Sequence, residues 1–323
     1  MNFASVENIA AAILYEGYIL YPYRATAIKN RQRWNFGTLY PREYAEAQKP
    51  PEPFSFVSEC LVEADESTRV DLRVRFLQLI RQQRPSGVGV TDSSLEWDEG
   101  VERTGELCGL RVHDLVGQPI SLDVHFESTA VEGHIPESLQ SILRGRLTVS
   151  AEGLSGGVHK LRVELQNTSG LENGAVAKRD EALAQSFVSA HLLLGVTAGE
   201  FVSLLDMPDE YRDVAATCKN TGVFPVLVGD EGQRTMMLCS PIILYDYPKI
   251  APESPGDFFD GTEMDEMLAL RVLTLTDEEK QEMRNGDTRA RQILERTEAM
   301  TEGHLMKVHG AVRGLRRVQE DAS

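Results

Sequence analysis

Five cations and six aromatic rings are interleaved between Gly17 and Arg42, GYILYPYRATAIKNRQRWNFGTLYPR, with no carboxylate among them. The chain around them carries a formal net charge of -17. Guanidinium groups and flat rings both favour partly dehydrated contacts, so this composition reads as a surface that binds another molecule. The expected contact residues are Tyr21, Tyr23, Arg24, Arg31, Arg33, Trp34, Phe36 and Arg42. The opposite reading is an internal one. In it Arg31, Arg33 and Trp34 anchor the fold, and their donors meet carboxylates such as Asp257 or Asp260.

Those carboxylates belong to a second dense group: Glu253, Asp257, Asp260, Glu263, Asp265 and Glu266. Such a group could hold a hard cation, but the DxDxDG spacing of an EF-hand is missing. Acidic residues at a helix start, with Thr262 as cap, explain the cluster better. Thr276 and Glu279 repeat that arrangement as a capping box. The cysteines, at 60, 108, 218 and 239, form no CxxC pair and suit reduced, buried thiols. His304 and His309 are five apart, which turns the second imidazole away by about 140° on a helix. No metal or cofactor is expected.

Catalytic signatures fail in turn. There is no GxSxG elbow. EGLSGGVHK, from Glu152 to Lys160, lacks the GK[ST] ending of a phosphate loop and sits between alternating segments, so it reads as a β-turn. The chain is expected to bind rather than catalyse, and no catalytic residue is assigned.

Periodicity supplies the elements that would position these groups. Val6 to Tyr21 recurs near the helical period and should stop before Pro22. Pro50, Pro51 and Pro53 hold an extended connector. From Phe54 to Thr168 six segments alternate apolar with polar residues, predicting half-buried antiparallel strands in a β-sandwich or strongly curved sheet. In VDLRVRFLQLI the apolar set is Val70, Leu72, Val74 and Phe76, with Asp71, Arg73 and Arg75 on the wet face. AKRDEALAQSFVSAHLLLGV is predicted as a helix ending at Gly195, with His191 packed on its apolar side. PVLVGD and TMMLCSPIILYDY read as a hairpin of strands buried on both faces, joined through Gly229 and Gly232.

The expected fold is therefore α+β: a central antiparallel β-sandwich-like region, an N-terminal helix and a helical C-terminal third. Its parts are residues 1–50 (helix and basic-aromatic segment), 51–170 (β region), 171–250 (helix with a buried hairpin) and 251–323 (acidic, mainly helical). The acidic balance disfavours broad contact with nucleic acid or anionic membrane. No apolar run is long enough to span a bilayer, and the N-terminus does not read as a secretory signal, so a cytoplasmic location is expected.

Two long blocks, LYEGYILYPYRATAIKNRQRWNFGTLYPR and LCSPIILYDYPKIAPESPGDFFDGTEMDEMLALRVLTLTDEEKQEMR, carry a resemblance. They cover about a quarter of the chain and are similar to a poorly characterised bacterial family whose genes cluster with those of uptake-type NiFe hydrogenases. The resemblance implies an accessory protein that assists hydrogenase assembly or activity by docking on a hydrogenase subunit or maturation factor. It brings no catalytic residues with it. The alternatives are an enzyme with a cleft between the β region and the C-terminal helices, and a polyanion binder whose affinity falls steeply with salt.

Overall fold

The computed structural model describes residues 3, 6–14, 36–84, 95–126, 142–249, 275–277, 280–281, 284 and 288–299; at 81–84, 95–97, 288–290, 293 and 296 this covers the backbone alone. Two compact units result, one of residues 1–18 and 32–249, the other of 19–31 and 250–323.

The first unit is built on one eight-stranded antiparallel sheet, β1 Ser55–Arg84, β2 Leu95–Arg111, β3 Ile120–Phe126, β4 Leu143–Gly153, β5 Val158–Asn167, β6 Val188–Val202, β7 Phe224–Leu227 and β8 Met236–Ser240. Neighbours run β3-β4-β5-β1-β6-β8-β7, and β2 also pairs with β1. The first half of β1 pairs with β5 (Ser55↔Gln166 to Glu63↔Val158) and the second half with β2 (Arg69↔Arg111 to Arg84↔Leu95). β6 accompanies both halves. Because β5 and β2 share β1 in succession, the sheet turns a corner between them and its two halves face each other.

The corner is chemically specified. Ala64 pairs with Gly199 and Arg69 with Thr197, so four residues of β1 oppose Ala198 alone, a large special bulge. The Asp65 carboxylate accepts the Ser67 N–H at 2.8 Å and the Ser67 hydroxyl at 2.6 Å, while the Thr68 hydroxyl donates to the Ala198 carbonyl. A Cβ at Gly199 would lie 2.7 Å from both the Glu63 carbonyl oxygen and Thr68 Cγ2. Gly199→Ala is therefore expected to destabilise the fold by about 1–3 kcal/mol, read as a lower urea midpoint. An unchanged midpoint would contradict this account of the corner.

Alternation along β1 sends Phe56, Cys60, Val62, Val70, Leu72, Val74 and Phe76 into the space between the halves, where they meet Leu147, Val149, Leu161, Val163, Leu192 and Leu194. The outer faces are covered too. Helix α1 (Glu7–Leu14) lays Val6, Ala10 and Ile13 against Leu193, Val226, Val228, Met236 and Leu238. Leu61, Val158 and Val202 are closed over by Tyr211, Val214 and Ala215 around the short helix α4 (Arg212–Ala215). Two further short helices are α2 (Arg42–Ala47) and α3 (Arg179–Leu183).

The antiparallel character expected from the alternating segments holds, as do the hairpin of β7 with β8 and the turn at Gly156 and Gly157, both at positive φ. The α+β assignment does not. The chain is mostly antiparallel sheet with few short helices, and among the described residues no helical C-terminal third is evident. Beyond residue 250 these comprise α5 (Thr288–Glu298) and helical positions at 277, 280, 281 and 284. The helix predicted over 178–195 ends after one turn, at Leu183, and from Val188 the run is strand β6. A strand covered on both faces is apolar throughout, so its period vanishes and the run mimics a helix. The N-terminal helix is seen as Glu7–Leu14, with residues 15–21 of its expected span outside the described residues.

Candidate functional site

The densest buried charge lies on the outer face, beneath α1. Alternation places Arg73 and Arg75 of β1 on one side of the strand, opposite Val74 and Phe76. That side was expected to be wet, yet α1 and β2 cover it and the Arg75 side chain is 7% exposed. Glu7 of α1 spans both arginines: Arg73 Nη1 meets one carboxylate oxygen and Arg75 Nη1 the other, at 3.0 Å. Each guanidinium has a second partner on β2, Glu106 at 2.7 Å from Arg73 Nε and Glu102 at 3.2 Å from Arg75 Nη2. The Phe3 ring stacks under the Arg73 guanidinium at 4.9 Å. One carboxylate shared by two guanidinium forks is a recognition geometry for an anionic group.

His191 stands across the strand pair from Arg75 and is fully buried. Its Nδ1 lies 3.0 Å from the Ser189 carbonyl, which fixes the proton there and leaves Nε2 as an acceptor. Nε2 has no partner among the described residues. Burial, reinforced by the Arg75 charge, lowers its pKa to about 4. Ser189 Oγ donates to the Ile13 carbonyl at 3.2 Å, tying the end of α1 to the same strand.

A second polar cluster pins a loop. Glu59 accepts Arg162 Nη1 at 2.8 Å and the Lys219 N–H at 2.7 Å, and Asn220 bonds the Glu59 backbone in both directions. Burial, then the Glu59 charge, pushes the adjoining Cys218 thiol up to about 11. Cys239 is pushed to about 12 and Cys60 well upward, both by burial. These thiols stay protonated at neutral pH and are poor nucleophiles. Cys108 is exposed. Among the described residues no group of three His, Cys, Asp or Glu is placed to hold a metal.

Of the residues predicted from sequence to contact a partner, Phe36 and Arg42 are described. Phe36 is half-buried, and its carbonyl accepts the Ser189 N–H at 3.1 Å. Arg42 is exposed, paired to Glu46 at 2.7 Å and stacked over Phe54 at 4.9 Å. Tyr21, Tyr23, Arg24, Arg31, Arg33 and Trp34 lie outside the described residues, as does the acidic group at 253–266. The capping partner Glu279 lies outside them too, although the Thr276 carbonyl accepts the Lys280 N–H at 2.9 Å.

Sequence reasoning also missed an apolar display after β8. The run PIILYDY was read as buried strand, but β8 ends at Ser240. Ile242 and Leu244 pack inward while Ile243 and Tyr245 stand 74% and 88% exposed. The segment is anchored at its two ends, by the Ile242 N–H donating to Ser240 Oγ at 3.0 Å and by Asp246 and Tyr247. The Asp246 carboxylate accepts the Leu227 N–H at 2.7 Å and the Ser203 hydroxyl, and the Tyr247 N–H donates to the Leu227 carbonyl at 2.7 Å. Alternation in that run was the available signal.

No family model matches the chain, and no curated protein matches it. Among solved structures, the secretin InvG of the Salmonella SPI-1 type III secretion injectisome (residues 176-end, open gate state) aligns at 12% identity over 72% of this chain and 70% of that one. Its TM-score of 0.13 carries no argument. Among the described residues no helix is long and apolar enough to cross a membrane.

Proposed function

We propose that this chain is a cytoplasmic, non-catalytic accessory protein that docks on another protein, with a NiFe-hydrogenase subunit or maturation factor as the partner. The observation that carries the docking is the pair Ile243 and Tyr245, exposed between anchors at Ile242 on one side and Asp246 and Tyr247 on the other. Isolated exposed apolar residues are ordinary, but a pinned pair of large ones supplies pre-ordered contact area. The pair falls inside the second block that resembles the hydrogenase-linked family. The aromatic-cationic residues Tyr21, Tyr23, Arg24, Arg31, Arg33, Trp34, Phe36 and Arg42 form the first block's contribution to the same docking role.

The test is affinity purification of the tagged full chain from its native host. Wild type should bring down a hydrogenase subunit or maturation factor. The double variants Ile243→Ser with Tyr245→Ser, and Arg33→Ala with Trp34→Ala, should each reduce that recovery at least tenfold while far-UV circular dichroism stays unchanged. Equal recovery by both variants would end the docking proposal, and recovery of an unrelated partner would end the hydrogenase assignment.

A further inference from the structure

We propose that the segment after β8 is an edge guard: Asp246 and Tyr247 close the outer edge of β7 against strand addition by a second copy of this chain. The guard is made of backbone and carboxylate bonds and uses neither the Ile243 nor the Tyr245 side chain, so it does not depend on the accessory role.

β7 ends the sheet among the described strands, with β8 on one edge and its other edge facing outward. The Val228 N–H goes to the Met236 carbonyl at 3.1 Å, on the β8 side. Backbone groups alternate in direction along a strand, which turns Leu227 and Pro225 outward. There the Leu227 N–H donates to the Asp246 carboxylate at 2.7 Å, and the Leu227 carbonyl accepts the Tyr247 N–H at 2.7 Å. Pro225 has no N–H to offer. Among the described residues, the outer edge of β7 thus presents no free donor. Without these devices the apolar run FPVLV, from Phe224 to Val228, would be a template for another strand.

The cap is itself held in place. Tyr247 has φ +57°, a left-handed conformation that a bulky residue takes where its surroundings impose it, and its side chain packs against the core between the two halves of the sheet. Ser203 holds Asp246 from the other side. Its hydroxyl donates to the carboxylate while its oxygen accepts the Leu205 and Asp206 N–H groups at 3.0 and 2.8 Å. The strand that fits the uncapped edge best is β7 of a second copy. Antiparallel pairing about a two-fold axis at Leu227 lets each Leu227 exchange both backbone bonds with its counterpart, completing two edges at once.

Sedimentation of the full chain at micromolar concentration tests this. Pro225→Val with Asp246→Ala restores one outward donor and releases another, so it should self-associate about tenfold or more tightly than wild type. Pro225→Val with Asp246→Asn keeps an oxygen for the Leu227 N–H and should associate no more than wild type, which separates capping from the loss of a charge. Adding Ile243→Ser and Tyr245→Ser to the associating variant should leave its association in place. In hydrogen exchange the Leu227 amide should be protected in wild type and in dilute Asp246→Asn, and exposed in dilute Asp246→Ala. Should Asp246→Ala fail to fold, Ser203→Ala loosens the same carboxylate and replaces it in each comparison. Wild-type association by the folded uncapped variant, equal association by the asparagine variant, or an unprotected Leu227 amide in wild type would overturn the proposal. Association abolished by the two serine substitutions would assign it to the exposed apolar pair, which overturns the strand-pairing reading.

Discussion

Phe187→Ala is expected to lower the unfolding free energy by about 3–5 kcal/mol. Phe187, Phe76 and Phe126 form one aromatic knot where β6, β1 and β3 converge. Their ring centroids are 4.5 Å apart for Phe76–Phe187, 4.7 Å for Phe76–Phe126 and 6.1 Å for Phe126–Phe187. Two of these pairs meet nearly edge to face, the arrangement the ring quadrupoles favour. The ring is fully buried, and β4 makes room for it with a glycine: a Cβ at Gly145 would lie 2.9 Å from Phe187 Cζ. Three strands and a glycine leave little freedom to collapse into the vacated space, so the cavity persists and the penalty sits high in the range. Urea unfolding should show the midpoint falling with the slope unchanged. Val176→Ala, at a side chain 83% exposed, should stay within about 0.5 kcal/mol of wild type. A Phe187→Ala loss below about 1 kcal/mol would mean the two halves of the sheet are not joined at this knot.

That knot also shows what could be read without coordinates. Phe76 was legible as a core residue because VDLRVRF, from Val70 to Phe76, alternates strictly. Nothing local said that Phe126 and Phe187 would meet it, since cross-sheet contact depends on how far the sheet turns at the Asp65–Thr68 bulge. The polar stretch Asp65-Glu66-Ser67 reads as a break between two strands, whereas its side chains bond one another and carry the strand round the corner. Gly156, Gly157, Gly229 and Gly232 announced their turns because positive φ is a local property, and all four have it. β6 gave the wrong period because α1 covers the face that would otherwise have carried polar residues. The Glu7 clamp was half visible. Arg73 and Arg75 fall on one face by counting, but their carboxylate lies 66 and 68 residues upstream, and no periodicity encodes a pairing at that range.

The same misread strand makes a pH-dependent result predictable. A solvent-exposed imidazole titrates at about 6.5. On β6, buried and facing Arg75, the His191 pKa falls to about 4. The folded chain therefore keeps a neutral imidazole in conditions where the unfolded chain takes up a proton. Between about pH 6.5 and pH 4 the unfolded state binds more protons, so stability is complete above that window and declines as pH drops through it. For a fully buried group the shift corresponds to about 2 kcal/mol lost between pH 7 and pH 5. Urea unfolding at those two pH values should show that loss in wild type. His191→Leu should remove most of it, because leucine fills the site without a proton to bind, while the hydrogen bond that His191 Nδ1 donates to the Ser189 carbonyl is lost equally at both pH values. Glu7→Gln, which removes the clamp's charge without touching His191, should weaken the fold at both pH values. A His191→Leu protein with the wild-type pH response would place the titrating group elsewhere, and the buried acceptor beneath α1 would lose its energetic consequence.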